Sequence, residues 1–216
     1  MAIPARFSCY TGGLYGFSAS RFLDSTGVQQ VLILISGLIL FLTPHLLREL
    51  GLRQAIIDSL PSEGAYKGLY SLTALAGLGL IIWGKSSSPF IMIWQPLYEL
   101  RFISHVLMIP ALSLVLAGNM PMSYMRKYLR NPMLLGVLFW SLSHLWSNGD
   151  LASILLFGSF ALWSALKFTL LGLAAGTATK SASGFWDIIA VVGGLLLYVL
   201  ISLYHGQLFG VGLNLV

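Results

Sequence analysis

A single cysteine, Cys9, excludes an internal disulfide, and no Cys-x-x-Cys-His pattern exists for covalent attachment of a c-type heme. Carboxylates are almost as scarce, seven in 216 residues, and no helical stretch pairs two acids from which a proton relay could be built. Glycine loops of the Walker type, G-x-S-x-G and H-E-x-x-H are all missing, which removes phosphate cradles, nucleophile elbows and helical zinc hydrolases. Lys and Arg outnumber the acids 12 to 7, yet they are scattered through short connections without interleaved aromatics, so nucleic acid is not the expected partner.

What is present is hydrocarbon. Apolar residues make up 57% of the chain and charged ones 9%, with a mean hydropathy of +0.85, which places the protein in a lipid bilayer. A crossing needs roughly 20 apolar residues. Six segments approach that length: Val28–Leu47, Tyr66–Gly84, Pro96–Gly118, Pro132–Ser147, Leu151–Gly172 and Phe185–Phe209. The expected architecture is an all-α polytopic bundle over residues 28–216, with Ser86–Trp94 as an interfacial connection and no repeat relating the halves. Residues 1–27 carry Arg6 and Arg21 without an apolar run between them, the wrong order for a secretory signal peptide, and are expected to form a flexible extension.

Arg48, Arg53, Lys67, Arg126, Lys127, Arg130, Lys167 and Lys180 fall on one side of these spans, against Lys85 and Arg101, plus Arg6 and Arg21 of the extension, on the other. The positive-inside rule then puts both termini outside. Small residues four apart, Thr73 with Gly77, Ala190 with Gly194 and Gly172 with Gly176, predict close helix contacts.

All four histidines, His45, His105, His144 and His205, lie in or at the ends of these spans. An imidazole is costly in hydrocarbon unless its ring nitrogens are satisfied, so it marks a site, and a metal or heme iron is the natural occupant. Gly136, Trp140, His144 and Asn148 form one stripe, in which Gly136 would admit a flat group, Trp140 stack on it, and Asn148 or Asp150 orient the imidazole. Arg101 stands one turn before His105, and Arg48 and Glu49 three and four residues after His45. Pro44 is expected to kink the first span. Helix contacts or hydrogen-bonded structural histidines fit each of these positions as well.

The run Arg130-Asn131-Pro132-Met133-Leu134-Leu135-Gly136 through His144-Leu145-Trp146-Ser147-Asn148-Gly149-Asp150 resembles the NnrU family. So do Pro44-His45-Leu46-Leu47-Arg48, Tyr70-Ser71-Leu72, Ile82-Trp83-Gly84, and His205 followed by Leu208-Phe209-Gly210-Val211, a likeness extending from Val31 to Val211. The family is associated with bacterial nitrogen-oxide respiration and includes the plant cis-zeta-carotene isomerase, which uses a histidine-held b-type heme. The resemblance implies non-covalent heme b in an inner-membrane bundle, with His45 and His144 as ligands and Arg48 or Arg101 near the carboxylates. It implies either isomerisation of an apolar polyene or a non-catalytic role beside a respiratory complex; a small transporter is the third alternative. Asn131 departs from the family, which usually has histidine there.

Depth favours a different pair. At 1.5 Å per residue in a core of roughly 30 Å, a straight first helix leaves His45 about 13 Å deeper than His144, whereas His105 is level with His144. On this measure the metal ligands are His144 and His105.

Overall fold

The computed structural model describes residues 25–174, 181–211 and 213. Residues 1–24 of the extension, Lys180 and Gly176 of the Gly172–Gly176 pair lie outside the described residues. The helices are α1 (Ser25–Leu42), α2 (Arg53–Asp58), α3 (Glu63–Ser87), α4 (Phe102–Asn119), α5 (Tyr124–Leu129), α6 (Pro132–Ser147), α7 (Leu151–Ala174) and α8 (Gly184–Phe209), with short 3₁₀ turns at Pro44–Leu46 and Tyr98–Leu100. No strand occurs among the described residues, in keeping with the expected all-α bundle.

Five of the six expected spans are long and apolar enough to cross a membrane; α6, with 16 residues, is shorter than the rest. At 1.5 Å per residue it covers about 24 Å. It is an interior helix, packed on α4 and on α7. The most exposed spans are α3 and α8, with Leu72 and Leu75 of α3 each 67% accessible. Such apolar surface is the face a bilayer covers.

Capping residues set the helix starts. Ser62 accepts the Ala65 N–H (3.1 Å) ahead of α3, Ser123 accepts that of Arg126 (3.2 Å) ahead of α5, and Asn131 accepts that of Leu134 (3.3 Å) with Pro132 in the first turn of α6. Asn131 thus acts as a helix cap. Asp187 in the first turn of α8 accepts the N–H groups of Tyr124 and Met125 at 2.9 and 3.0 Å, tying α8 to α5.

Close approach holds the pairs together. A Cβ on Gly84 would lie 2.5 Å from the Leu34 nitrogen, so α1 and α3 cross nearly backbone to backbone. Gly77 packs on Phe41, and Gly194 on Ser113, as the small-residue spacing predicts. α4 packs on α6 and α8, while α7 joins α6 to α1 and α3 through a core of Leu34, Leu38, Ile81 and Ala152. Among the described residues α1 and α6 both pack on α7 and share no more than a marginal contact with each other.

The connection after α3 is not merely interfacial. Ile93 N–H donates to the Gly149 carbonyl and Leu151 N–H to the Ile91 carbonyl, both at 2.8 Å, strapping residues 91–94 across the start of α7. This accounts for Asn148-Gly149-Asp150. Asn148 donates to the His144 carbonyl at 2.8 Å and closes α6, while Asp150 accepts the Ser153 N–H at 3.0 Å and opens α7. Gly149 sits where the Trp94 carbonyl oxygen would be 1.7 Å from any Cβ. Asp150 is 7% exposed and also pairs with Lys85 at 3.1 Å. Burial alone raises its carboxyl, but the bonds from Ser153 and the Lys85 ammonium outweigh it and hold the group below the usual carboxylate range.

Two outcomes follow. Gly149→Ala should lower the melting temperature by about 5 °C or more, since the strap must shift to admit a methyl group. Because the folded Asp150 has a depressed pKa, its contribution is complete above the usual carboxylate range and is lost as pH falls through the folded value. A thermal melt series from pH 7 to pH 3 should therefore fall less steeply in Asp150→Asn than in the parent.

Candidate functional site

α1 ends at Leu42, ahead of Pro44, whose ring removes a backbone donor, and the chain continues as the 3₁₀ turn Pro44–Leu46. His45 therefore stands on a tight turn rather than on a kinked helix. Its Nδ1–H donates to the Phe41 carbonyl at 2.7 Å. A carbonyl only accepts, so Nε2 is the basic nitrogen of this ring. The imidazole packs among Phe41, Tyr70 and Trp163, with ring centroids 4.7, 5.2 and 6.0 Å away.

Below it lies a buried ion pair. Lys167 donates to the His45 carbonyl, lies 5.4 Å from the centre of the Trp163 ring and stands 3.5 Å from Oε2 of Glu49, whose side chain is 4% exposed. Glu49 Oε2 receives no properly directed hydrogen bond, so the contact with Lys167 is Coulombic. Trp163 Nε1 is also buried without a partner. Arg48 lines a cavity of about 290 Å³ together with His45, Arg53, Tyr66, Lys67 and Lys167.

His144 repeats the arrangement on α6. Its Nδ1–H donates to the Trp140 carbonyl at 2.9 Å, again leaving Nε2 as the basic nitrogen. The ring stacks on Phe157, with centroids 4.4 Å apart at 24°, and lies against Trp140 at 5.1 Å. Trp140 meets Phe157 and Phe160 edge to face at 5.1 and 5.6 Å. Phe160 in turn meets Phe41 at 5.8 Å and Trp163 at 6.5 Å. Phe157, Phe160 and Trp163 stand three residues apart on α7, and they form one aromatic wall that carries His144 at one end and His45 at the other.

The remaining expectations divide. The imidazole of His144 is oriented by the Trp140 carbonyl, whereas Asn148 and Asp150 serve the backbone and Lys85. Gly136 admits α4 rather than a flat ligand: its Cβ would lie 2.7 Å from the Ala111 carbonyl oxygen. His105 is level with His144, since Ser104 and Ser143 exchange bonds with each other's backbone carbonyls at 2.9 and 2.8 Å. Its partner is nevertheless Tyr198 of α8, whose hydroxyl lies 2.9 Å from Nδ1. Arg101 is the exposed residue that opens α4, and His205 donates to the Val211 carbonyl at the end of α8. No ring contact or hydrogen bond joins two histidines among the described residues.

Tyr70, Trp163 and Lys167 were not among the residues expected at the site, whereas Glu49 was noted beside His45. The spacing Phe157, Phe160, Trp163, Lys167 along one face of an apolar helix is the signal that points to Trp163 and Lys167.

Removing one partner of a buried pair strands the other charge. Lys167→Met should cost about 3 kcal/mol or more, read as a fall in the detergent melting temperature, and adding Glu49→Gln should restore most of it. An unrecovered double variant would mean that Lys167 acts through His45 and Trp163 rather than through Glu49.

Comparison with curated proteins returned no match, and comparison with solved structures returned none either. A family model described as NnrU protein matches residues 33–213, which is most of the chain and includes every histidine discussed above. This multi-pass membrane protein belongs to the NnrU family.

Proposed function

We propose that the protein binds heme b non-covalently, with His144 and His45 as iron ligands and Trp140 on the aromatic wall beside the ring. The observation that carries this reading is the shared pose of the two imidazoles: each gives Nδ1–H to the carbonyl four residues earlier and leaves Nε2 as the donor atom. Protein metal sites use that arrangement to fix tautomer and ring direction.

The donor set fits a porphyrin better than a bare ion. Among the described residues no three His, Cys, Asp or Glu side chains gather to hold a metal. A bare transition metal takes three or four protein donors, whereas a porphyrin iron needs one or two imidazoles. The wall of Phe157, Phe160 and Trp163 offers a flat apolar macrocycle a matching surface. In the described packing the rings of Phe41, Phe160 and Trp140 lie between the two imidazoles, so joint ligation requires them to turn aside. The lack of more than a marginal α1–α6 contact among the described residues favours that movement. His105 is the weaker second ligand, because the Tyr198 hydroxyl at its Nδ1 can donate as well as accept and so does not fix Nε2 as the basic nitrogen.

Of the two arginines considered for the carboxylates, Arg48 shares a cavity with His45, whereas Arg101 opens α4 at the opposite end. The basic end, with Arg48, Arg53, Lys67, Arg126 and Lys127, would face the cytoplasm of a bacterial inner membrane. Bound heme would supply redox and ligand-exchange chemistry, tuned by its axial ligands and surroundings.

The test is the absorption spectrum of the detergent-purified protein, oxidised and dithionite-reduced. A Soret band is expected, abolished by His144→Ala, altered by His45→Ala and unchanged by His105→Ala. Colourless protein from heme-replete cells would overturn the reading. Conversion of cis-zeta-carotene by the reduced protein would make it a polyene isomerase, and heme binding without turnover would favour an accessory role beside a respiratory complex.

A further inference from the structure

The cavity beside His45 holds more positive charge than its carboxylates balance. Arg53 and Lys67 share one acid, Glu63, at 3.6 and 3.4 Å, and Lys167 is matched by Glu49 at 3.5 Å. Arg48 has no side-chain partner among the described residues. Four cations against two acids leave two positive charges around about 290 Å³. Tyr66, Tyr70 and Ser71 bring hydroxyls to the same space. Cations together with hydroxyl donors are the chemistry that receives anionic oxygen.

An apolar groove adjoins it. About 190 Å³ in volume, it shares Pro44, Tyr66 and Tyr70 with the cavity and is completed by Leu47, Ile56 and Leu69. An occupant of both spaces carries anionic oxygens at one end and hydrocarbon at the other. The site lies where α1 ends and α3 begins, beside the short helix α2, which is the headgroup level of a bilayer-spanning bundle.

The geometry points to a binding site for an anionic phospholipid, its phosphate among Arg48, Arg53 and Lys67 and an acyl chain in the groove. Basic pockets between membrane helices attract such headgroups, and each added cation near the surface strengthens the attraction. This assignment stands on charge and shape and does not require heme. A heme carboxylate carries the same anionic chemistry, so the experiment separates the two sources.

Native mass spectrometry of the full-length protein, heme-free and heme-loaded, would compare phosphatidylglycerol with phosphatidylcholine of identical acyl chains. A preference for phosphatidylglycerol of at least about tenfold is expected in both forms. The double variant Arg48→Gln/Lys67→Gln, made at two exposed positions, should remove that preference, with its helical circular dichroism checked against the parent. Lys127→Gln, at the same end of the bundle but outside the cavity, should leave it intact. Equal retention of the two lipids, or an equal loss in Lys127→Gln, would overturn the assignment. So would phosphatidylglycerol binding that vanishes on heme loading while the double variant weakens heme retention, because the anion would then be the cofactor's own carboxylate. A colourless preparation that still selects phosphatidylglycerol would sink the heme reading and leave this one standing.

Discussion

Inside a bilayer a polar side chain has no water to turn to, and in this bundle it turns first to the backbone of its own helix. Thr73, Ser113, Asn119 and Thr169 each donate to a carbonyl three or four residues earlier, as do His45 and His144 through Nδ1. For a hydroxyl the arrangement satisfies the donor and ends the matter. For an imidazole it does more. One nitrogen is fixed as donor and the other is left basic and fixed in direction, so the rule that makes a buried histidine tolerable also prepares it as a ligand. Both rings then lie against aromatic neighbours, and among the described residues neither Nε2 takes part in a hydrogen bond.

α7 organises the remainder. Asp150 caps its start and binds Lys85 of α3, the strap from Ile91 to Trp94 crosses the same point, and Phe157, Phe160 and Trp163 face α1 and α6 further along. Lys167, one turn beyond Trp163, reaches Glu49 and the His45 carbonyl. The two histidine-bearing segments are therefore positioned against one helix rather than against each other. This explains how α1 can share no more than a marginal contact with α6 and still be held in register with it.

Helix positions were legible in the sequence because length, hydropathy and caps fix them locally: α6 runs from Pro132 to Ser147 and α7 starts at Leu151, as expected. The extent of α1 was less so, because Pro44 ends the helix and starts a 3₁₀ turn instead of kinking it. Depth was readable and rotation was not. His105 and His144 were ranked at one level, which the Ser104–Ser143 bonds bear out, although α4 starts at Phe102 and not at Pro96, from which the rise was counted. Which face meets which neighbour depends on helix order around the bundle, and a periodic pattern carries that information weakly when nearly every residue is apolar. Gly136 reads equally well as room for a ligand or room for α4, and only packing decides for α4. Asn148 and Asp150 were recognisable as a motif and make local bonds to His144 and Ser153, but the constraint on Gly149 between them comes from a strap, residues 91–94, far away in the sequence.

The two ends of the site differ in kind, and that difference imposes a direction. Around His144 the neighbours are Trp140 and Phe157, and the charges nearest in sequence, Asp150 and its partner Lys85, neutralise one another. Around His45 the surplus is cationic, and Lys167 spends its charge on a carboxylate that the bundle itself buries. The charges of Arg53 and Lys67 are exposed and screened by water and salt, so this field acts locally, at the mouth of the cavity. A molecule with an apolar body and an anionic end meets opposite environments along the wall of α7 and gains by lying one way and not the other. Polarity along the wall, rather than any single contact, is what would distinguish an anionic amphiphile from a purely hydrocarbon one, and it arises because the basic residues that orient the chain in the membrane also line the cavity beside His45.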